Sequence, residues 1–401
     1  MTPLLNIRHL LCALEIKRCG TMTEASKHVH LSQSALTQAI NKLETVLGEK
    51  IFERSSGGMF TNAAGELFLE RVRRAFSYLN SFASSLFEQD RTKSKGFIRG
   101  VSARQLTTLI AVAELQSYTA AAVKLNLTQP TLAKAIKDLE HLCEQALFQR
   151  IPKGVEPTWR ARQLARFASL FFSEINQGLE EINELTGLHA GTLTVGSLPL
   201  ARSELVPETV VSLLKDFPSA QISIIDGPYD EQLSALLHGQ LDVIVGALRE
   251  TLPGDDVEQF GLFDNSLRIV ARVDHPAQSL LHQPTLDKSL LEYQWIAPRE
   301  GTPTRTIFNS LFKSEGLTPP RNVIECSSLV AVRSLLLKSD CLALLSAKQI
   351  TLEAQAGILT FSDFLVPHSE RTIGFTLRKQ WKPTPLQAKF LERLKTISAE
   401  L

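Results

Sequence analysis

Residues 8–58 and residues 104–154 are two versions of one segment. RHLLCALEIKRCGTMTEASKHVHLSQSALTQAINKLETVLGEKIFERSSGG aligns without a gap to RQLTTLIAVAELQSYTAAAVKLNLTQPTLAKAIKDLEHLCEQALFQRIPKG, at a constant offset of 96 residues. Such a repeat constrains architecture before any single residue does, because each copy must be a structural unit of its own. Leu31, Gln33, Leu36, Ala39, Ile40, Leu43, Glu44, Phe52 and Arg54 recur as Leu127, Gln129, Leu132, Ala135, Ile136, Leu139, Glu140, Phe148 and Arg150. Their spacing of three and four is the rhythm of an α-helix.

Within each copy the apolar rhythm is broken twice by turn chemistry, which predicts three short helices. Leu10, Leu11, Leu14 and Ile16 line the first, Thr23 is the expected N-cap of the second, and Ser32 (Thr128 in copy two) that of the third. Small residues, Ala25 and Ala39 matched by Ala121 and Ala135, let two helices cross closely at a steep angle, as a helix-turn-helix requires. Phe52-Glu53-Arg54 with Gly57-Gly58, matched by Phe148-Gln149-Arg150 with Lys153-Gly154, predicts a short hairpin wing after the third helix.

In such a motif the third helix lies in the major groove of double-stranded DNA with its N-terminal side chains toward base edges. Those positions are Ser32, Gln33, Ser34, Thr37 and Gln38 in copy one, and Thr128, Gln129, Pro130, Thr131 and Lys134 in copy two. Gln pairs bidentately with adenine, and Ser or Thr reaches a base or a phosphate. Arg54, Arg150 and Lys153 supply positive charge at the wings. Residues 1–99 carry 14 Lys and Arg against 9 Asp and Glu, and residues 191–401 carry 20 against 24. A polyanion partner for the N-terminal half fits that division.

The run LSQSALTQAINKLETVLGEKIFER resembles the winged helix-turn-helix of LysR-type transcriptional regulators, whose pattern is S-Q-P/S-x-L/V-S/T-x-x-I-x-x-L-E followed by L-G-x-x-L-F-x-R. The resemblance implies a DNA-binding regulator that pairs with itself through the helix after the wing, answers to a small-molecule effector, and has RNA polymerase as a candidate further partner. The copies depart from the pattern differently. Copy one has Ser34 where proline is usual and Gly57 where the wing is often basic; copy two has Ala133 in place of the hydroxyl of Thr37 and Glu144 in place of Gly48. An acidic helix end facing phosphates weakens binding, so copy one is the expected sequence reader, with copy two contributing phosphate contacts or structure.

A long helix is expected after each wing, capped by Asn62 and by Thr158. Phe68, Val72, Ala75, Leu79, Phe82 and Leu86 form a heptad seam, repeated in register as Leu164, Ala168, Phe171, Ile175, Gly178 and Ile182. In the resembled family this helix makes the homodimer. With two such helices in one chain, pairing within the chain rivals two separate dimer seams.

From Gly191 short apolar runs alternate with helical patterns, LTVGSLP, ELVPETVVSLLKDFP, AQISIIDG, YDEQLSALLHGQ and LDVIVGAL, the signature of a parallel sheet with crossover helices. A second series runs from SLRIVARV to CLALLS. Together they resemble the two-lobed effector domain of the same family, itself like periplasmic binding proteins. Ligands in open α/β sheets sit beyond the carboxyl ends of strands, at helix N-termini. The candidates are Ser197, Leu198 and Pro199, Gly246 and Ala247, Arg299, Thr302 and Thr304, and Ser327 and Ser328, with an anionic or polyhydroxy metabolite as the expected effector.

Five scattered cysteines without a CxxC pair argue against a disulfide framework or a zinc site, and for a cytoplasmic home. No stretch approaches a membrane span, and residues 1–20 lack the basic start, long apolar block and small-residue cleavage site of a signal peptide, so neither export nor insertion is expected. Nucleophile elbow, HExxH, GxGxxG and Walker A motifs are all missing, so neither an enzyme nor a cofactor is expected. The expected organisation is multidomain: a first winged helix-turn-helix at 1–61, a linker helix at 62–90, a linker at 91–100, a second all-α winged unit at 101–157, a linker helix at 158–188, and an α/β effector domain at 191–401. Its lobe I spans about 191–264 and 360–401, lobe II about 267–347, with crossovers near 264–267 and 347–359. The reading is a ligand-responsive homo-oligomeric transcriptional regulator; the alternative is an architectural DNA-binding protein whose second unit and α/β domain are structural.

Overall fold

The computed structural model describes residues 5–55, 58–185, 191–252, 254–320 and 322–400; Gly57 of the first wing and residues 186–188 of the expected second linker helix lie outside them. Copy one folds as α1 (Ile7–Cys19), α2 (Met22–Val29), α3 (Gln33–Leu47), β1 (Phe52–Ser55) and β2 (Gly58–Thr61), then the long α4 (Ala63–Leu86). After α5 (Arg91–Gly100), copy two gives α6 (Ala103–Leu115), α7 (Tyr118–Lys124), α8 (Gln129–Cys143), β3 (Phe148–Ile151), β4 (Gly154–Pro157) and α9 (Trp159–Leu185). Ser32, Thr128 and Asn62 cap their helices by accepting from the backbone N–H of Ala35, Thr131 and Gly65, and Thr158 accepts from Ala161. One cap differs from expectation. Gly20, left-handed at φ +70°, ends α1 so tightly that α2 starts at once, and Thr21 rather than Thr23 accepts from Glu24 N–H.

Segment 91–100 is a helix, not a linker. Asp90 caps it by accepting from Thr92 and Lys93, and its apolar pair Phe97 and Ile98 is buried, with the Phe97 ring 5.5 Å from that of Phe82 on α4. The two heptad seams settle on each other. α4 and α9 run antiparallel within one chain, as Phe76 against Phe171, Tyr78 against Phe167 and Ser85 against Arg160 show. Phe68, Val72, Leu79 and Phe82 of α4 and Leu164, Phe171, Ile175 and Ile182 of α9 join one core with both helix-turn-helix units. Close approach depends on Gly178, where a Cβ would stand 3.0 Å from the Phe68 ring and 3.1 Å from Arg71 Cβ.

The C-terminal half is two α/β lobes. Lobe I contains β5 (Thr192–Ser197), α10 (Leu205–Asp216), β6 (Gln221–Ile225), α11 (Tyr229–Leu237), β7 (Val243–Ala247) and β8 (Val257–Asn265). Lobe II contains β9 (Leu267–Arg272), α12 (Gln278–Leu281), β10 (Trp295–Ala297), α13 (Pro303–Ser314), β11 (Val323–Glu325), α14 (Leu329–Lys338), β12 (Leu342–Ser346), α15 (Thr351–Gln355) and β13 (Leu359–Leu365). The chain then returns to lobe I as β14 (Arg371–Arg378) and α16 (Pro385–Glu400). The sheets are ordered β6-β5-β7-β14-β8 and β11-β10-β12-β9-β13. The second crossover is therefore at 366–370, not at 347–359. β13 pairs antiparallel with β9, so residues 359–365 complete lobe II instead of opening the return to lobe I. Trp295, fully buried, anchors lobe II with the rings of Phe308 and Phe312 at 5.7 and 5.2 Å.

Among the described residues no helix is long and apolar enough to cross a membrane, and no cluster of three metal-ligating side chains exists. All five cysteines are free thiols, and burial pushes Cys143 up to about 12.

Candidate nucleic-acid interface and effector cleft

The recognition helices expose their first turns. On α3, Ser32, Gln33, Ser34 and Gln38 are exposed while Leu36, Ala39 and Ile40 are buried; on α8, Thr128, Gln129, Pro130, Thr131 and Lys134 are exposed over buried Leu132, Ala135 and Ile136. Gln33 Nε2 donates to Thr23 Oγ1 at 3.0 Å, the Ser32 and Ser34 hydroxyls share a bond of 2.9 Å, and Thr128 and Thr131 share one of 2.8 Å. Asn41 and Lys137, exposed one turn further along, extend these faces. At the wings Arg54, Arg150 and Lys153 are exposed. Thr37, Asn41, Lys50 and Arg54 line one concavity between α3 and its wing.

The wing is held against its recognition helix in the same way twice. The Glu44 carboxylate, 6% exposed, accepts from Ile51 N–H at 3.1 Å and Phe52 N–H at 3.3 Å; Glu140 accepts from Leu147 and Phe148 at 2.8 and 3.3 Å. Gly58 and Gly154, at φ +139° and +144°, lie so close to the first helix that a Cβ would stand 2.4 Å from the carbonyl oxygen of Gly20 or Gln116. The repeat contains Glu44 and Glu140, but only the fold gives them this task. Glu44→Ala leaves the Ile51 and Phe52 N–H groups at the root of the wing without their acceptor and should cost about 1–3 kcal/mol in a urea melt. A loss under about 0.5 kcal/mol would mean that something else holds the wing.

Two residues that distinguish the copies in sequence have partners in the fold. Thr37 Oγ1 donates back to the Gln33 carbonyl of its own helix at 2.9 Å, so its hydroxyl gives copy one no free donor. Glu144, the left-handed C-cap of α8, is paired with Lys93 Nζ of α5 at 2.5 Å, which places a cation beside the carboxylate at the helix end.

In the α/β half the carboxyl ends of the parallel strands of both lobes face the crossovers. Ala247 at the end of β7 pairs with Ile373, Asn265 with Arg371, and Ser346 at the end of β12 with Leu267. Ser346 Oγ donates to Asn265 Oδ1 at 2.7 Å, and Leu267 N–H donates to Ser369 Oγ at 3.0 Å, tying the two crossovers together. The expected effector residues divide here. Ser197 is fully buried at the end of β5 with its Oγ unpartnered. Leu198 and Gly246 are packing partners instead: both are buried, and a Cβ on Gly246 (φ +153°) would stand 2.4 Å from Leu198 Cβ. Thr302 and Ser328 are helix caps that accept from Arg305 and Ala331 N–H. Pro199, Arg299 and Ser327 are exposed, Ala247 and Thr304 half-buried. Sequence reasoning missed Arg249 and Arg371. Burial and then the nearby Arg249 push the half-buried Arg371 guanidinium below its usual range, while Arg249 lies 4.0 Å over the Tyr229 ring.

Lobe I is bonded to the α4–α9 seam. Arg71 Nη1 donates to the Lys382 carbonyl at 2.8 Å, Arg74 Nη2 to that of Gln380 at 2.7 Å, and Arg166 pairs with Asp256 at 2.8 Å.

Residues 186–398 match the LysR substrate binding domain, more than half of the chain. The chain belongs to the LysR family. Its two N-terminal units match the bacterial regulatory helix-turn-helix of the same family at 7–66 and again at 103–162. The HTH-type transcriptional regulator GalR of Pseudomonas putida is 28% identical over 395 residues, 98% of each chain, and so aligns across both units. GbpR of Azospirillum brasilense is 27% identical over 65% of this chain and 76% of its own. In fold the chain is similar to CbnR, a LysR family transcriptional regulator (TM-score 0.51, 21% identity, 74% of this chain and 98% of that one), and to a full-length OxyR variant from Pseudomonas aeruginosa (0.53, 23%, 74% and 94%). This LysR regulator is a helix-turn-helix protein that binds double-stranded DNA and carries a small-molecule effector domain.

Proposed function

We propose that the effector is a small organic anion bound between the lobes, and that its binding resets the angle between the two DNA-reading units. The observation that carries this is the pair of guanidiniums, Arg249 and Arg371, which the antiparallel register of β7 and β14, continued by Leu248 N–H on the Thr372 carbonyl, brings side by side at the carboxyl end of β7, with Glu250 the acidic group beside them. Two adjacent cations at a strand end favour an anion, and the unpartnered Ser197 Oγ adds a neutral hydrogen-bonding group at the next strand. Arg299, Thr302, Thr304, Ser327 and Ser328 would close over it from lobe II. A ligand that favours one lobe closure changes lobe I, and lobe I is bonded to the seam through Arg71, Arg74 and Arg166.

On the DNA side, Ser32, Gln33, Ser34 and Gln38 of α3 and Thr128, Gln129, Pro130 and Lys134 of α8 read bases, while Arg54, Arg150 and Lys153 hold phosphates. The protein acts in the cytoplasm, where its DNA is, and regulates without catalysing a reaction. Self-association uses a face other than the occupied seam: β6 is an edge strand of lobe I whose Ile224 and Ile225 are exposed, beside exposed Val211 and Leu214 on α10, which suits antiparallel pairing with a second copy.

The test is a screen of small carboxylates and neutral polyols for ligands that raise the melting temperature of the whole chain and alter its operator affinity. A carboxylate should do both, and Arg371→Gln should abolish both responses while leaving ligand-free DNA binding intact. A response to neutral polyols alone, or one unchanged in Arg371→Gln, would overturn the anionic reading.

A further inference from the structure

We propose that one chain is a complete reader of an asymmetric operator. α3 and α8 read two unlike half-sites in inverted orientation, and the α4–α9 seam is closed against a second copy.

The closure is written in buried charge. Arg71 of α4 is fully buried and donates to Glu181 at 2.5 and 3.1 Å, to Glu174 at 3.0 Å and to Gln177 at 2.8 Å, all on α9, with both carboxylates about as buried. The repeat offset identifies the equivalent groups at the other end of the seam. Ninety-six residues after Arg71 stands Phe167, and 96 before Glu174, Gln177 and Glu181 stand Tyr78, Ser81 and Ser85. That end is aromatic: Phe167 stacks on Tyr78 with centroids 6.4 Å apart. Pairing α4 with α4 of another copy would face Arg71 with Tyr78, Ser81 and Ser85, a buried cation with no carboxylate. Pairing α9 with α9 would face Glu174 and Glu181 with Phe167. Each homotypic seam strands buried charge, and only α4 with α9 satisfies it. The pairing is kept within one chain because α5 holds copy two to the end of its own α4, through Phe97 on Phe82 and Ser94 Oγ on the Ala83 carbonyl.

An antiparallel pair of equivalent helices relates the two units by an approximate two-fold rotation, the symmetry with which paired helix-turn-helix units address inverted half-sites. Both units keep their complete apparatus of recognition-helix cap, wing-pinning glutamate and wing glycine, so neither has decayed into a spacer. What has diverged is the reading face. Gln33 and Gln129 are the same, but Gln38 stands where copy two has Lys134, and Asn41 where it has Lys137, all four exposed. Gln and Asn favour adenine, Lys favours guanine. The half-sites therefore share the base pair under Gln33 and Gln129 and differ one turn on, adenine under copy one and guanine under copy two.

Selection from random duplexes with the intact chain tests this. The expected product is one site with two inverted, unlike half-sites, in which exchanging a distinguishing adenine or guanine weakens binding about 5- to 150-fold. Gln38→Lys with Asn41→Lys, both on an exposed helix face, should replace the adenine preference under copy one by guanine and so make the two half-sites alike at that position. A palindrome selected by the wild type, a single half-site, or a double variant that selects the unchanged asymmetric site would each overturn the inference. No selected site at all would overturn it together with the assignment of α3 and α8 as readers, on which it rests; the other failures leave that assignment standing.

Discussion

Arg71→Met should destabilise the protein by about 3–5 kcal/mol, the usual consequence of removing one partner from a buried ion pair. The substitution leaves Glu174 and Glu181, 5% and 6% exposed, without their shared cation, and only Glu174 retains a second one, Arg74 at 3.0 Å. It also removes the donor to the Lys382 carbonyl, so the loss reaches from the seam into lobe I. Methionine keeps most of the volume and adds no clash, which separates the electrostatic effect from a cavity. Denaturant unfolding of the whole chain reads the result. The triple variant Arg71→Met, Glu174→Leu, Glu181→Leu should recover part of the stability, because apolar packing in place of buried ions is often neutral or better, while Arg74 loses Glu174 and keeps the Gln380 carbonyl. Its predicted penalty is in specificity, since a seam without the Arg71 cluster refuses α4 with α4 less strongly. If Arg71→Met unfolds within about 1 kcal/mol of the wild type, the cluster is not what holds α4 to α9.

On the operator, Gln33→Ala and Gln129→Ala should each weaken binding by about 1–3 kcal/mol and relax base preference only in their own half-site. Gln33 begins from a bond to Thr23 Oγ1, which it must release to reach a base. That tie should make its net contribution the smaller of the two. Titrations against duplexes carrying a single base exchange in one half-site or the other provide the measurement. A large loss for Gln33→Ala with none for Gln129→Ala would restore the ranking expected from sequence, in which copy two reads nothing.

That ranking rests on residues whose partners only the fold shows. Ala133 and Glu144 are real departures from the family pattern, and read one at a time they count against copy two. Neither Lys93 on Glu144 nor the bond of Thr37 to its own helix could be seen, because both depend on how a helix turn or a neighbouring element closes in space. The effector residues illustrate the same limit. Strand ends and helix starts were legible from turn chemistry, yet the pattern could not separate Ser197, whose hydroxyl is unpartnered, from Leu198, which fills the space that Gly246 leaves. Arg249 and Arg371 are 122 positions apart in sequence and carry no motif; the return of β14 beside β7 brings them together. Arg71 did leave a trace. Glu174 and Glu181 are one heptad apart on α9, so a cation opposite them on a paired helix was readable once the pairing was chosen.

What the sequence determined by itself is whatever is local or periodic: the 96-residue repeat, the helix-turn-helix and wing of each copy, their caps, the two heptad seams and the α/β alternation that follows. What the tertiary structure decided is partnership. A heptad seam states that a helix needs a partner and not which one. The choice falls to buried charge, because Arg71 finds its carboxylates on α9, whereas the equivalent positions of another α4 offer Tyr78, Ser81 and Ser85. The same holds for residues 91–100, polar enough to read as a linker until Phe82 offers Phe97 a place to be buried, and for residues 359–365, which join lobe II because the edge of β9 is there to receive them.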